Sequence, residues 1–178
     1  LNPDFADAYN NLGAALVAEG KNEEAISHYK MAIKINPDHA DAHNNLGLAL
    51  VAEGKIEEAI SHYKMAIGLK PDYADAYNNL GIALFNGKMT EEAIDYYKMA
   101  IKLKPDFADA HYNLGNALLN KGRTSEAISH YKTAIKIKPD SAAAHNNLGG
   151  ALVAEGKIEE AISHYKTAIK IKPDLAGA

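Results

Sequence analysis

Proline recurs along this chain at a constant interval of 34 residues. The six prolines are Pro3, Pro37, Pro71, Pro105, Pro139 and Pro173. A fixed interval of this length is typical of stacked repeats, because each repeat can bury its apolar face only against its neighbours. Counting Ala6 as position 1, we predict five repeats, at 6–39, 40–73, 74–107, 108–141 and 142–175. Residues 1–5 and 176–178 are then interpreted as remnants of flanking repeats.

Each repeat contains two segments with the periodicity of an amphipathic helix. In the first segment of the first repeat, one face carries residues at the i, i+3, i+4 and i+7 spacing: Tyr9, Leu12, Gly13 and Leu16. A turn at Gly20 separates the two segments, and Pro37 prevents the second helix from continuing. Acidic residues open the second helix and lysines close it, which suits the helix dipole. We therefore predict an all-α chain of antiparallel helix pairs.

Composition narrows the classes of function. The net charge is −4 and Arg123 is the only arginine, which argues against a nucleic-acid binder. No apolar run approaches the about 18 residues that a membrane span needs. The chain has no cysteine, so disulfides, thiol nucleophiles and cysteine zinc sites are excluded. The first residue is not methionine and no basic leader is present, so we expect a piece of a longer, cytoplasmic protein.

The positions of the apolar and aromatic residues resemble the tetratricopeptide repeat over nearly the whole chain. The residues that carry this resemblance are Tyr9 or His43, Leu12, Gly13, Leu16, Ala25, Tyr29, Ala32 and Pro37. The resemblance implies an α-solenoid with a right-handed superhelix whose first helices line the concave side. It also implies a scaffold that binds proteins or peptides and has no enzymatic activity.

Two departures from the repeat pattern lead to expectations of their own. Histidine replaces the usual fourth-position aromatic at His43, His111 and His145, which is expected to soften the packing. In repeat 74–107, Gly87 arrives one residue earlier than the corresponding glycines. We expect this shift to shorten the first helix of that repeat and to reshape the turn.

The side of the first helix opposite the apolar stripe is poor in charge. Its ninth and thirteenth positions carry alanine, asparagine, leucine, isoleucine or glycine, whereas lysine and glutamate concentrate on the second helix. An exposed face of this kind is typical of a binding surface. We therefore predict that a ligand lies along the first helices.

Asparagine occupies the sixth position of every repeat, as Asn11, Asn45, Asn79, Asn113 and Asn147. A primary amide can pair with both the N–H and the C=O of a peptide backbone. Helices pack about 8–10 Å apart and an extended peptide rises about 3.3 Å per residue, so one asparagine would meet roughly every third ligand residue. The pattern resembles the asparagine ladder in the repeat region of O-linked N-acetylglucosamine transferases. The alternative is structural: these amides bridge neighbouring repeats or cap local backbone.

Further polar positions join the predicted peptide site. Asp7, Asp41, Asp75 and Asp109 share the ligand-side direction and would attract a basic or hydroxyl-bearing peptide, although an acid also suits the first turn of a helix. Asn116 occupies a ninth position on the same face. The fifth-position residues, such as Asn10 and Asn44, are predicted to be contacts between repeats.

The eight histidines do not form a recognisable metal or catalytic motif. No two lie at the i, i+4 spacing, and Ser27 and His28 are neighbours that face apart on a helix. We predict no metal site, no cofactor and no catalytic residues.

Three hypotheses for the function stay open at this point. The first is a scaffold that holds an extended peptide through the sixth-position asparagines. The second is a self-assembling scaffold, since the face around Ile162, Tyr165 and Ile169 is expected to be partly exposed and to support end-to-end association. The third is the substrate-binding repeat region of a larger glycosyltransferase. A clamp for a terminal carboxylate is not expected, because the groove positions lack cations.

Overall fold

The computed structural model describes residues 4–172, and every regular element in that range is an α-helix. The prediction of an all-α chain of helix pairs is therefore confirmed for the described range. Of the predicted remnants 1–5 and 176–178, residues 1–3 and 176–178 lie outside the described range. The chain divides into two compact units, Leu1–Met89 and Thr90–Ala178.

Unit 1 contains five helices that pack in the order of the sequence. They are α1 (Asp4–Ala18), α2 (Asn22–Ile35), α3 (Ala40–Ala52), α4 (Ile56–Leu69) and α5 (Ala74–Asn86). Each helix contacts the next, and the first helices α1, α3 and α5 also contact one another in turn. The backbones of the second helices α2 and α4 do not approach each other in this way within the described residues. Within this unit the first helices therefore lie closer together than the second helices.

Unit 2 repeats the same arrangement. Its helices are α6 (Thr90–Leu103), α7 (Ala108–Asn120), α8 (Thr124–Ile137), α9 (Ala142–Ala154) and α10 (Ile158–Ile171). Sequential helices pack together and the first helices α7 and α9 are in contact. Both units are thus segments of an α-solenoid, in which stability comes from contacts between adjacent helices.

The core of each helix pair depends on a close approach between a glycine of the first helix and a tyrosine of the second helix. In the second repeat, Leu46 and Tyr63 are almost fully buried between α3 and α4. A Cβ atom added to Gly47 would lie 2.6 Å from Cε1 of Tyr63, which is closer than carbon atoms can approach. Glycine at this position therefore allows the tyrosine ring to lie flat against the first helix.

The early glycine at Gly87 does not shorten α5, so this prediction is wrong. Helix α5 has 13 residues, as α3 does. One residue in the turn after each first helix has a left-handed backbone conformation. After α3 this residue is Gly54, at φ 73°, and after α5 it is Lys88, at φ 64°. The expected change in the turn is also absent, because Lys88 adopts the left-handed conformation that glycine adopts in the other repeat.

None of the described helices is both long enough and apolar enough to cross a membrane.

Candidate functional site

The first-helix surface, defined by positions 2, 6, 9 and 13 of the first helices, is accessible in both units. Every residue at these positions is exposed or half-buried. In unit 1 the sixth, ninth and thirteenth positions carry no charge: Asn11, Ala14, Ala18, Asn45, Leu48, Ala52, Asn79, Ile82 and Asn86. In unit 2 the same positions are Asn113, Asn116, Asn120, Asn147, Gly150 and Ala154. The predicted uncharged face is therefore at the surface.

In unit 1 the sixth-position amides bridge neighbouring repeats. Nδ2 of Asn45 donates to Oδ1 of Asn10 at 3.0 Å, and Nδ2 of Asn79 donates to Oδ1 of Asn44 at 3.0 Å. The acceptors are buried, whereas Asn45 and Asn79 stay half-buried. The predicted inter-repeat role of the fifth position is confirmed at Asn10 and Asn44.

These bridges fix the direction of the amides without using all of their hydrogen-bonding groups. An amide has two N–H donors and one carbonyl acceptor. The side chain of Asn79 makes only its bridge among the described residues, and Asn45 additionally accepts a long hydrogen bond of 3.4 Å from Nδ2 of Asn44. Each therefore retains one N–H and acceptor capacity that face away from the bridge. Asn11 is exposed.

In unit 2, Asn147 uses its amide differently. Nδ2 of Asn147 donates to the hydroxyl of Tyr112 at 3.0 Å and to Oδ1 of Asn116 at 2.9 Å. The hydroxyl of Tyr131 also donates to Oδ1 of Asn116, at 2.8 Å. Both N–H groups of Asn147 are therefore occupied, while the NH₂ group of Asn116 stays available. Asn113 is half-buried on α7.

The acids in the first turns of the first helices are exposed. In unit 1, Asp7 and Asp41 each contact the residue just before the following first helix. Oδ1 of Asp7 lies 3.0 Å from Nε2 of His39. Burial raises the pKa of the Tyr73 hydroxyl, and its hydrogen bond with Asp41 raises this pKa further. Asp75 and Asp109 are exposed at the equivalent positions. The acids thus belong to the first-helix surface, and two of them also contact the last residue of their own repeat.

The structure brings together histidines that the sequence interpretation treated separately. Nδ1 of His43 lies 3.0 Å from Nδ1 of His62, although 19 residues separate them. Nε2 of His43 lies 3.1 Å from the carbonyl oxygen of Pro37. Unit 2 repeats this arrangement in two pairs, His111 with His130 and His145 with His164. The signal was present in the sequence, because histidine at the fourth position occurs only in repeats with histidine at position 23.

The hydrogen bonds determine the tautomer of each neutral pair. A carbonyl oxygen only accepts, so Nε2 of His43 donates to Pro37 and its Nδ1 carries a lone pair. His62 must then donate from Nδ1. The expectation that histidine softens the packing is wrong, since His43 is only 4% exposed and both of its ring nitrogens are engaged. No group of three or more potential metal ligands occurs within residues 4–172.

The sequence matches known repeat profiles over most of its length. Profiles described as TPR repeat match residues 15–54, 47–87, 89–122 and 115–155, and a profile described as tetratricopeptide repeat matches residues 142–175. A search of curated proteins found no match.

Solved structures with the same fold are numerous, and three illustrate the range. A crystal structure of MamA is 31% identical, with a TM-score of 0.81 over 93% of this chain and 97% of that chain. The crystal structure of YrrB, described as a TPR protein with an unusual peptide-binding site, is 25% identical, with a TM-score of 0.74 over 93% of this chain and 86% of that one. The pilF protein of Pseudomonas aeruginosa is 24% identical, with a TM-score of 0.88, and the match covers 94% of this chain and 76% of that one. The repeat profiles, the helix pairs and the identity to MamA together show that this chain belongs to the tetratricopeptide repeat family.

Proposed function

We propose that this chain is a non-catalytic scaffold that binds an extended segment of another protein along its first-helix surface. Tetratricopeptide repeats are scaffolds for protein interactions, and the similar protein YrrB is described as having a peptide-binding site. The accessible face of the first helices, which carries no charge at positions 6, 9 and 13, supports the same role here. The sixth-position amides hold the peptide backbone, so recognition depends little on the ligand's side chains.

The observation that carries the proposal is the pair of amide bridges in unit 1. Each bridge orients Asn45 or Asn79 through one N–H and leaves the second N–H and acceptor capacity at a half-buried surface. A peptide unit presents one donor and one acceptor, which matches these groups. Because the bridges already restrict the side chains, binding costs less conformational entropy than it would with mobile amides.

The other predicted site residues take subsidiary roles in this proposal. In unit 2, Asn147 contributes acceptor capacity only, and the NH₂ group of Asn116 replaces it as a donor. Exposed carboxylates flank the backbone site and favour basic or hydroxyl-bearing ligand side chains. Asp75 and Asp109 are assigned this role first, because Asp7 and Asp41 also contact His39 and Tyr73.

The test separates the ligand role of Asn79 from its bridging role. Short peptides selected from a displayed random library are titrated into the wild type, Asn79→Ala and Asn44→Ala. Both variants lose the same bridge, but only Asn79→Ala removes the amide that faces the ligand. We expect Asn79→Ala to weaken binding roughly 2- to 12-fold, which corresponds to one net hydrogen bond. The matched control Asn44→Ala is expected to weaken it less.

Equal affinities for the two variants would overturn the proposal, because the sixth-position asparagines would then act only between repeats. Failure to select any peptide with an extended backbone on the first-helix surface would overturn it as well. Amide chemical shifts of α3 and α5 report where the selected peptide binds.

A further inference from the structure

Position 34, the last of each repeat, changes from an aromatic residue to serine in the fourth repeat. The first three repeats carry His39, Tyr73 and Phe107 at this position, and the fourth carries Ser141. All four residues are half-buried, and each immediately precedes the next first helix. The fourth repeat therefore has a short side chain where the three earlier repeats have a ring.

The second and third repeats show how the chain holds such a ring. Nζ of Lys70 lies 4.6 Å from the ring centroid of Tyr73, and the Tyr73 hydroxyl donates a hydrogen bond to Asp41. In the third repeat, Nζ of Lys104 lies 4.7 Å from the ring centroid of Phe107. A lysine at position 31 thus supplies a cation for the face of the ring. The acid at position 2 accepts from the phenol hydroxyl.

The fourth repeat keeps both of these groups without the ring. Lys138 stands at position 31 and Asp109 at position 2. Together with Tyr112, Ser141 and Ala143, they line a pocket of about 200 Å³ where α7, α8 and α9 meet. Within residues 4–172, the side chains of Lys138 and Asp109 make no hydrogen bond or ion pair. Both groups are therefore available to a ring that enters the pocket.

The pocket has room for one ring. Oγ of Ser141 accepts from the backbone N–H of Ala144 at 3.3 Å, so this short side chain is engaged at the start of α9. Ala143 occupies position 2 of the fifth repeat, where the four earlier repeats carry aspartate. Cavities of about 150 Å³ bind benzene, so about 200 Å³ accommodates a phenol ring.

The pocket also adjoins the first-helix surface. Asp109 belongs to both, because position 2 is part of that surface. Ala143, at position 2 of α9, is exposed beside it. A peptide that lies along α7 and α9 therefore passes the pocket.

We propose that this pocket binds a tyrosine side chain of the peptide ligand. Its ring lies against Lys138 as the Tyr73 ring lies against Lys70, and its hydroxyl donates to Asp109. The inference rests on the proposed peptide-binding function and adds specificity to it, since the sixth-position amides hold the backbone whereas the pocket selects one side chain.

The two charges of the pocket distinguish tyrosine from other side chains. Phenylalanine keeps the contact with the lysine but offers no donor to Asp109. Arginine and lysine would pair with Asp109, but Lys138 repels them. Tyrosine alone among the aromatic and basic side chains combines a phenol donor with a ring face for the cation.

The first test uses N-acetyl-tyrosinamide as the probe and amide chemical shifts as the readout. It is titrated into the wild type, Ser141→Ala and Ser141→Tyr. We expect saturable shifts at Asp109, Ser141 and Ala143 in the wild type and in Ser141→Ala. In Ser141→Tyr the introduced ring should occupy the pocket, as Tyr73 does in the second repeat, and abolish these shifts.

The second test compares this probe with N-acetyl-phenylalaninamide. We expect the wild type to bind the tyrosine probe roughly 2- to 12-fold more tightly, which corresponds to one net hydrogen bond. Asp109→Ala should remove this preference. The matched control is Asp75→Ala, which removes an exposed acid at the same position of α5 and should keep the preference.

Absence of saturable shifts up to the solubility limit of the probe would overturn the inference. Equal shifts in Ser141→Tyr, or an unchanged preference in Asp109→Ala, would overturn it as well. The displayed peptide library distinguishes this failure from failure of the proposed function. Peptides that depend on Asn79 but show no enrichment of tyrosine would leave the proposed function intact and overturn the pocket assignment.

Discussion

At the residue scale, the three histidine pairs connect protonation to stability. Burial lowers the pKa of His62, and the facing ring of His43 lowers it further. Lys30 also lowers this pKa, while Glu58 opposes the shift. In unit 2, His130 and His164 occupy the equivalent position. Burial lowers the pKa of each most, and the ring of its partner histidine lowers it further. A protonated His62 can still donate from Nδ1 to His43.

We therefore expect the free energy of unfolding to fall as the pH is lowered through the histidine range. The folded-state pKa values lie below the unfolded value of about 6.5, so the unfolded chain binds more protons there. The stabilisation is fully present above that value and is lost as the pH falls through it towards the folded pKa values. Urea unfolding between neutral and mildly acidic pH measures the slope. His62→Gln keeps a donor for His43 without titrating and should flatten the slope, whereas the exposed neighbour Ser61→Ala should not.

At the element scale, the turn after each first helix depends on one left-handed residue. Gly54 takes this conformation at φ 73°, and Lys88 takes it at φ 64° in the third repeat. The conformation costs a residue with a Cβ atom about 1–2 kcal/mol, so Lys88→Gly is expected to raise the free energy of unfolding by about 1 kcal/mol. Gly54→Lys should lower it by a similar amount. Urea midpoints of both variants test this pair, and a lower midpoint for Lys88→Gly would contradict the assignment of strain.

The same elements show what the sequence can and cannot predict. Helix pairs follow from local rules, because prolines end helices and apolar residues recur every three to four positions. The length of α5 did not follow from Gly87, because the fold imposed the turn geometry on Lys88 instead. The bridge from Asn79 to Asn44 joins residues 35 apart, and it depends on how the two helices are rotated in their packing. Repetition identified Asn79 as special but could not decide between a ligand and a neighbouring repeat.

For the whole molecule, the important property is that each helix is supported only by its neighbours. A linear array of this kind opens locally, and its stability is a sum over repeats and the interfaces between them. Helices α1 and α10 carry exposed apolar side chains, namely Leu12 in α1 and Ile162 and Ile169 in α10. Contacts on both sides support α3 in unit 1 and α8 in unit 2.

Native-state hydrogen exchange should therefore follow position along the array. We expect backbone amides of α1 and α10 to exchange fastest among the ten described helices, and those of α3 and α8 to be among the slowest in their own units. Uniform exchange along the chain would show that the array opens as one cooperative body rather than from its uncovered faces.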